Sequence, residues 1–255
     1  MQRQFRKNIL TLVFCLFVGS VFGQKSNNKD TLRVLFVGNS YTYFWNLPQM
    51  VETMARSNDY AMIARKSTAG GTNWKQHWEG DKGLKSRSII EDGNWDVVVL
   101  QNHSKSTIND LEQFMEYGDK LIELVKSTGA RPVLYETWAR SFNPLMIDQI
   151  KSGYHELAEK HKLDVVHVGE IWSMALDQRA DLRLYDPDDS HPSTIGTYLT
   201  ACAFYSYLTG KSAHGLEERI SKTDGDGELL YLSIMSGNDA EFMQDVVDHF
   251  QTRGK

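Results

Sequence analysis

The chain has 255 residues, 41% of them hydrophobic and 24% charged, with a formal net charge of −5. This is the balance of a folded globular protein, which excludes a largely disordered chain, and the length suits one substantial α/β domain. The acidic excess, with no basic run in the body of the chain, argues against a nucleic-acid partner.

Arg3, Arg6 and Lys7 precede an apolar run from Ile9 to Val18 and the mostly small residues Gly19 to Gly23. This is the pattern of a secretory signal peptide over residues 1–23, cleaved near Gly23 and Gln24. The run is too short for a comfortable membrane span, so no stable span is expected after cleavage. Cleavage removes three basic residues and Cys15, which leaves a formal charge of −8 and Cys202 as the single cysteine. No intrachain disulfide can then form. The expected location is a bacterial periplasm, cell surface or extracellular space. Cys202 lies in an apolar helical run and reads as buried and inert.

Residues 24–255 read as a single domain. After the polar lead-in 24–30, five short apolar runs follow, at Leu32–Val37, Ala61–Arg65, Val97–Leu100, Pro132–Tyr135 and Val165–Val168. Helical spacing separates them. Leu47, Met50, Val51 and Met54 share one face. Asn109 with Glu112 predicts a capping box that opens a helix running to Gly129, and Leu145–His161 predicts a third helix. Alternating strands and helices imply a five-stranded, doubly wound parallel sheet with helices on both faces. A further helix is expected over Ser193–Thr209, and residues 215–255 read as a helical extension without a strand. Asp224-Gly225-Asp226-Gly227-Glu228 lacks the glycine spacing of a calcium loop and reads as a solvated turn.

Ligands of such sheets bind at the carboxyl ends of the strands. Ser40 follows the first run directly, Gly70-Gly71 the second, Asn102 the third and Trp138 the fourth, while His191 lies on the loop beyond the last. A serine hydroxyl needs a base to take its proton, and the base needs a carboxylate to hold its tautomer. Ser40, His191 and Asp188 can supply all three, with Asp186 and Asp189 as competing acids. A metal reading of the same acids with His191 is weaker, for want of a second histidine cluster. The Ser40 amide, a Gly70 or Gly71 amide and the Asn102 side chain are candidate donors to a tetrahedral oxyanion.

The blocks Gly38-Asn39-Ser40, Ala69-Gly70-Gly71-Thr72, Gln101-Asn102-His103 and Asp188-x-x-His191 resemble, in order and approximate spacing, those of the SGNH (GDSL-like) hydrolases over residues 31–209. The resemblance implies a flavodoxin-like three-layer α/β/α fold with a five-stranded parallel sheet. It also implies Ser40 as nucleophile, His191 as base, Asp188 as acid, and oxyanion donors at Ser40, Gly70 and Asn102. No metal or organic cofactor is then required. The chain departs from the family pattern in two places: Asn39 replaces the usual aspartate, and Gln101-Asn102-His103 replaces Gly-x-Asn-Asp, so Gln101 or His103 can share the role of Asn102.

Trp45, Trp74, Trp78 and Trp138, with Tyr41, Tyr43 and His77, fall near the expected site edge. Aromatic faces suit sugar rings, although Trp74 and Trp78 at helical spacing also suit a core. Export, an aromatic rim and no long apolar lid favour a carbohydrate ester. An O-acetyl group on a polysaccharide or oligosaccharide leads, and a uronate methyl ester served by Lys66, Lys75, Lys105 or Arg140 follows. The alternatives are a lysophospholipase or thioesterase, and a glycan-binding protein without activity.

Overall fold

A computed structural model describes residues 31–253; the expected signal peptide, its cleavage site and the lead-in 24–30 lie outside the described residues. Five parallel strands form the central sheet: β1 (Leu32–Gly38), β2 (Met62–Thr68), β3 (Val97–Leu100), β4 (Arg131–Glu136) and β5 (Val165–His167). Their spatial order is β2-β1-β3-β4-β5. This is the flavodoxin-like order, in which the crevice for a ligand opens between β1 and β3, where the winding reverses.

Burial on both faces explains why the strands read as continuous apolar runs rather than alternating ones. Val34 and Phe36 of β1 enter one core and Leu35 and Val37 the other; on β3, Val97 and Val99 oppose Val98 and Leu100 in the same way. Ten helices accompany the sheet among the described residues. In chain order they are α1 (Ser40–Tyr43), α2 (Leu47–Ser57), α3 (Trp74–Glu79), α4 (Ser86–Asp92), α5 (Ser106–Asn109), α6 (Leu111–Ser127), α7 (Met146–His161), α8 (Val168–Gln178), α9 (Thr194–Thr209) and α10 (Gly237–Arg253). The cores place α2, α8, α9 and α10 on one face and α3, α4, α6 and α7 on the other. No helix of the described residues is long and apolar enough to cross a membrane.

Three expectations need correction. The long helix after β3 is capped by Asp110, whose Oδ1 accepts from Gln113 N at 2.9 Å, not by Asn109. Asn109 instead closes the separate short turn α5, whose Thr107 packs against Gly153 of α7. Residues 169–178, assigned no element from sequence, form α8. The expectation of a purely helical segment over 215–255 fails: β6 (Arg219–Thr223) and β7 (Leu229–Ile234) form an antiparallel hairpin. Ile220 and Leu232 bury their side chains against α2 and α9, while Leu229, Leu230, Tyr231 and Ile234 stay exposed, so the segment carries no two-residue alternation to mark its strands. The Asp224–Glu228 stretch is the hairpin turn, with Asp224 Oδ1 accepting from the amides of Asp226 and Glu228 at 2.9 Å. Cys202 is fully buried, and burial pushes its thiol well up, as an inert core residue requires.

Candidate active site

β1 ends at Gly38, and the chain turns at once into α1. A side chain at Gly38 has no room, since a Cβ there would lie 2.4 Å from both Gln101 Oε1 and Thr42 Oγ1. Gln101 grips this turn: its Oε1 accepts from Asn39 N at 2.8 Å and from Thr42 Oγ1 at 3.0 Å. Asn39 spends its side chain in two directions, Oδ1 accepting from Tyr41 N at 3.0 Å and Nδ2 donating to the Thr72 carbonyl at 2.9 Å. An aspartate cannot make the second bond, which gives the departure from the family pattern a physical basis. The Gly38 carbonyl accepts from His77 Nε2 at 3.0 Å, while His77 Nδ1 accepts from Ser86 Oγ at 2.6 Å. Burial drives the His77 pKa down to about 4 against the smaller opposing effect of the Gly38 carbonyl, so the ring is neutral.

This turn presents Ser40 to the loop that precedes α9. Ser40 Oγ lies 2.8 Å from His191 Nε2, and the opposite ring nitrogen, Nδ1, bonds Asp188 Oδ2. Asp188 Oδ1 accepts from the amides of Ser190 at 3.1 Å and His191 at 2.8 Å. Burial alone would raise the Asp188 carboxyl, but the hydrogen bonds from His191 and Ser190 outweigh it and hold the carboxyl below the usual range. Neither rival acid bonds the His191 ring. Asp189 accepts from Ser141 Oγ at 2.7 Å, and Asp186 makes no side-chain hydrogen bond to His191. The imidazole stacks on Phe44, with ring centroids 4.3 Å apart, which fixes its plane. Behind it, Tyr41 OH meets Ser190 Oγ at 2.6 Å, and Trp138 Nε1 donates to the Ser190 carbonyl at 3.0 Å. The loop that carries Asp188 and His191 is thus held by two aromatic residues from other elements.

The same arrangement of elements occurs in solved structures. An SGNH-hydrolase assignment attaches to one such protein, from Slackia heliotrinireducens, which superposes with a TM-score of 0.60 at 22% identity over 70% of this chain and 100% of its own. A DUF4886 family protein from Bacteroides uniformis gives 0.69 at 15% identity, over 89% and 97%. The psychrotrophic esterase EstA from Pseudoalteromonas gives 0.55 at 10% identity, over 70% and 97%. The chain has the SGNH-hydrolase fold. No protein-family model matches it, and no curated protein matches it in sequence.

Within this SGNH fold, Ser40 opens into a pocket of about 350 Å³ whose walls include Tyr43, Phe44, Gly70, Gly71, His103 and Arg140. The Ser40 and Gly70 amides carry no hydrogen bond to another described group. Gly71 takes φ +66°, the left-handed turn that carries the chain from β2 past the pocket. Asn102 is buried, and its Oδ1 accepts from Trp74 N at 3.0 Å and His103 N at 2.8 Å, so Nδ2 is the atom left to donate. Asn102 lines an adjoining cleft with Lys75 and Lys105, which meets the Ser40 pocket at His103. Burial, with Arg140 and Lys105 nearby, lowers the His103 pKa. Nδ1 of that ring accepts from Lys105 N at 3.3 Å, so its proton sits on Nε2.

The tryptophans divide. Trp74 is fully buried between Phe114 and Tyr154, and Trp138 is sandwiched between Tyr41 and Trp172 at 4.6 and 3.9 Å, so neither offers a face to substrate. This corrects the expectation of a platform at those two positions. Trp45 is 44% exposed and is pinned by a 2.9 Å bond from Nε1 to the Pro192 carbonyl, beside His191. The clamping roles of Gln101 and Asn39 and the bracing by Tyr41 were not legible in the sequence, because each depends on a partner more than 30 residues away.

Proposed function

We propose that the protein is an exported serine esterase acting on carbohydrate esters, with O-acetyl groups as the leading substrate. The observation that carries the reading is the hydrogen-bonded line from Ser40 Oγ through His191 to Asp188. His191 takes the Ser40 proton as the hydroxyl oxygen attacks the ester carbonyl. The imidazolium then passes that proton to the leaving alcohol, and water repeats the attack on the acyl-enzyme. The oxyanion rests on the amides of Ser40 and Gly70, with Asn102 Nδ2 or the neutral His103 ring as third donor. Each such donor is worth on the order of 3 kcal/mol. Comparing Asn102→Ala with His103→Ala identifies the third, as the variant that loses kcat with little change in KM.

The pocket walls favour a short acyl group. They are aromatic and polar with no aliphatic side chain, so a long hydrocarbon chain would find nothing to lie against. Arg140 supports a second reading. It lines the pocket, and its guanidinium forms no ion pair with a carboxylate among the described residues, which leaves its charge for a carboxylate beside the scissile bond. A free uronate next to a methyl-esterified one, or an acetyl ester on a uronate-containing glycan, would place one there. Incubating the protein with acetylated and methyl-esterified glycans and measuring acetate and methanol separately distinguishes the two. Faster hydrolysis of long-chain acyl esters than of either would overturn the carbohydrate reading.

A further inference from the structure

A second cluster of chemistry-bearing side chains lies at the β4–β5 end of the sheet and shares no residue with the Ser40 pocket. Glu136 ends β4, His155 projects from α7, His167 ends β5, and Glu170 sits in the first turn of α8. One ligand-capable atom from each of the four lies within 4.8 Å of all the others. His167 Nδ1 is the centre of the group, 3.2 Å from Glu136 Oε2, 3.3 Å from Glu170 Oε1 and 3.4 Å from His155 Nε2. Glu136 Oε2 lies 3.9 Å from His155 Nε2.

A single N–H on His167 Nδ1 can point at only one of these three atoms. The two facing imidazole nitrogens cannot both carry protons without repelling. A cation between them satisfies all four at once. A tetrahedral ion bonded at about 2.0–2.1 Å holds its ligand atoms about 3.3 Å apart, the spacing of the contacts around His167. The longer edges reach at most 4.8 Å, and the side chains of His155 and Glu170 are 39% and 25% exposed. The outer oxygens are already anchored: Glu136 Oε1 accepts from Glu170 N at 3.3 Å, and Glu170 Oε2 pairs with Lys151. Each carboxylate therefore turns one oxygen towards the histidines and has the other held from behind, which is how outer contacts orient metal ligands. Glu136 is fully buried, and among the described residues Lys151 is the one cation paired with the two carboxylates besides the histidines.

We propose that Glu136, His155, His167 and Glu170 bind a divalent transition ion of the zinc class. Two imidazoles exclude calcium and magnesium as good fits, and two carboxylates match the ion's charge. With four protein ligands the site is closed and structural. It ties together β4, α7, β5 and α8, and so steadies the strand end that leads through Trp138 to Arg140 at the pocket.

The test is to strip the purified protein with EDTA, then titrate it with ZnCl2 by calorimetry and with CoCl2 by visible absorption. The expected result is one equivalent of Zn2+ bound, intense tetrahedral Co2+ bands, and a rise in Tm with Zn2+ but not with Mg2+. His155→Ala and Glu170→Gln, both at partly exposed positions, should each weaken Zn2+ binding at least about 100-fold and abolish the Tm rise. Circular dichroism of the metal-free variants shows whether they remain folded. No saturable one-equivalent binding, or affinity unchanged in both variants, would overturn the proposal.

Discussion

At the scale of single residues, the chemistry of the site is concentrated in groups whose neighbours are already fixed. Ser40 is buried at the end of a turn whose amides and side chains are otherwise committed to Gln101, Thr72 and Asn39. Ser40→Ala should therefore lower kcat at least roughly 10,000-fold. It should leave the urea unfolding midpoint nearly unchanged, because the lost hydroxyl faces an open pocket. Undiminished turnover of acetyl esters by this variant would rule out Ser40 as nucleophile. Asn39→Asp keeps the acceptor for Tyr41 N but sets a carboxylate against the Thr72 carbonyl. It should cost about 1–3 kcal/mol of stability in urea titrations, and no cost would show that the Thr72 bond is dispensable. Block by block, the sequence made Ser40, Asp188 and His191 visible, because a strand-end serine and an Asp-x-x-His loop are local patterns. Gln101 was visible only as a departure from a pattern, since its contacts with Asn39 and Thr42 exist only across the β1–β3 pairing.

At the scale of elements, the strand–turn–helix transitions matter more than the helices themselves. α9 begins three residues after His191, and Gly196 in its first turn lets it approach the loop: a Cβ there would lie 2.1 Å from the Leu184 carbonyl and 2.7 Å from the Trp172 ring. Gly196→Ala should push α9 away from that loop, costing about 1–3 kcal/mol and reducing kcat by moving His191 off Ser40. Thermal unfolding and steady-state kinetics on the same sample check both. The turn after β1 supplies a pH prediction. His77 has a folded pKa of about 4 against an ordinary value of 6.5, so between those values the unfolded chain binds more protons than the folded one. Stability should fall as pH drops from 6.5 to 4, by roughly 3 kcal/mol from this group alone. The contribution is fully present above 6.5. In His77→Asn the slope of unfolding free energy over this range should flatten; an identical slope would assign the acid sensitivity to other groups. His77 read as a rim residue in the sequence, because a histidine three residues into a short helix gives no sign of which way it faces.

At the scale of the whole molecule, the parallel order β2-β1-β3-β4-β5 gathers the ends of β1, β2 and β3 and the loop before α9 around one pocket. Specificity should follow from that gathering. Arg140→Gln should raise KM about 10-fold for a uronate-bearing ester while leaving a neutral acetylated sugar unaffected, as expected for loss of one charge-assisted hydrogen bond; equal effects on both substrates would place Arg140 outside substrate recognition.

The sequence by itself determined the class of fold, the strands, and the residue types at their carboxyl ends. Apolar period and turn chemistry are local properties, and a doubly wound sheet places its strand ends together whatever lies between them. It did not determine which tryptophans face a substrate, because Trp74, Trp138 and Trp45 are chemically alike and differ only in what packs over them. Nor did it show the hairpin of β6 and β7, each strand of which buries a single apolar side chain. It also gave no sign that Glu136, His155, His167 and Glu170 meet. They lie on four separate elements, and only the lateral pairing of β4 with β5, with α7 and α8 packed beside them, brings four ordinary polar side chains to one point.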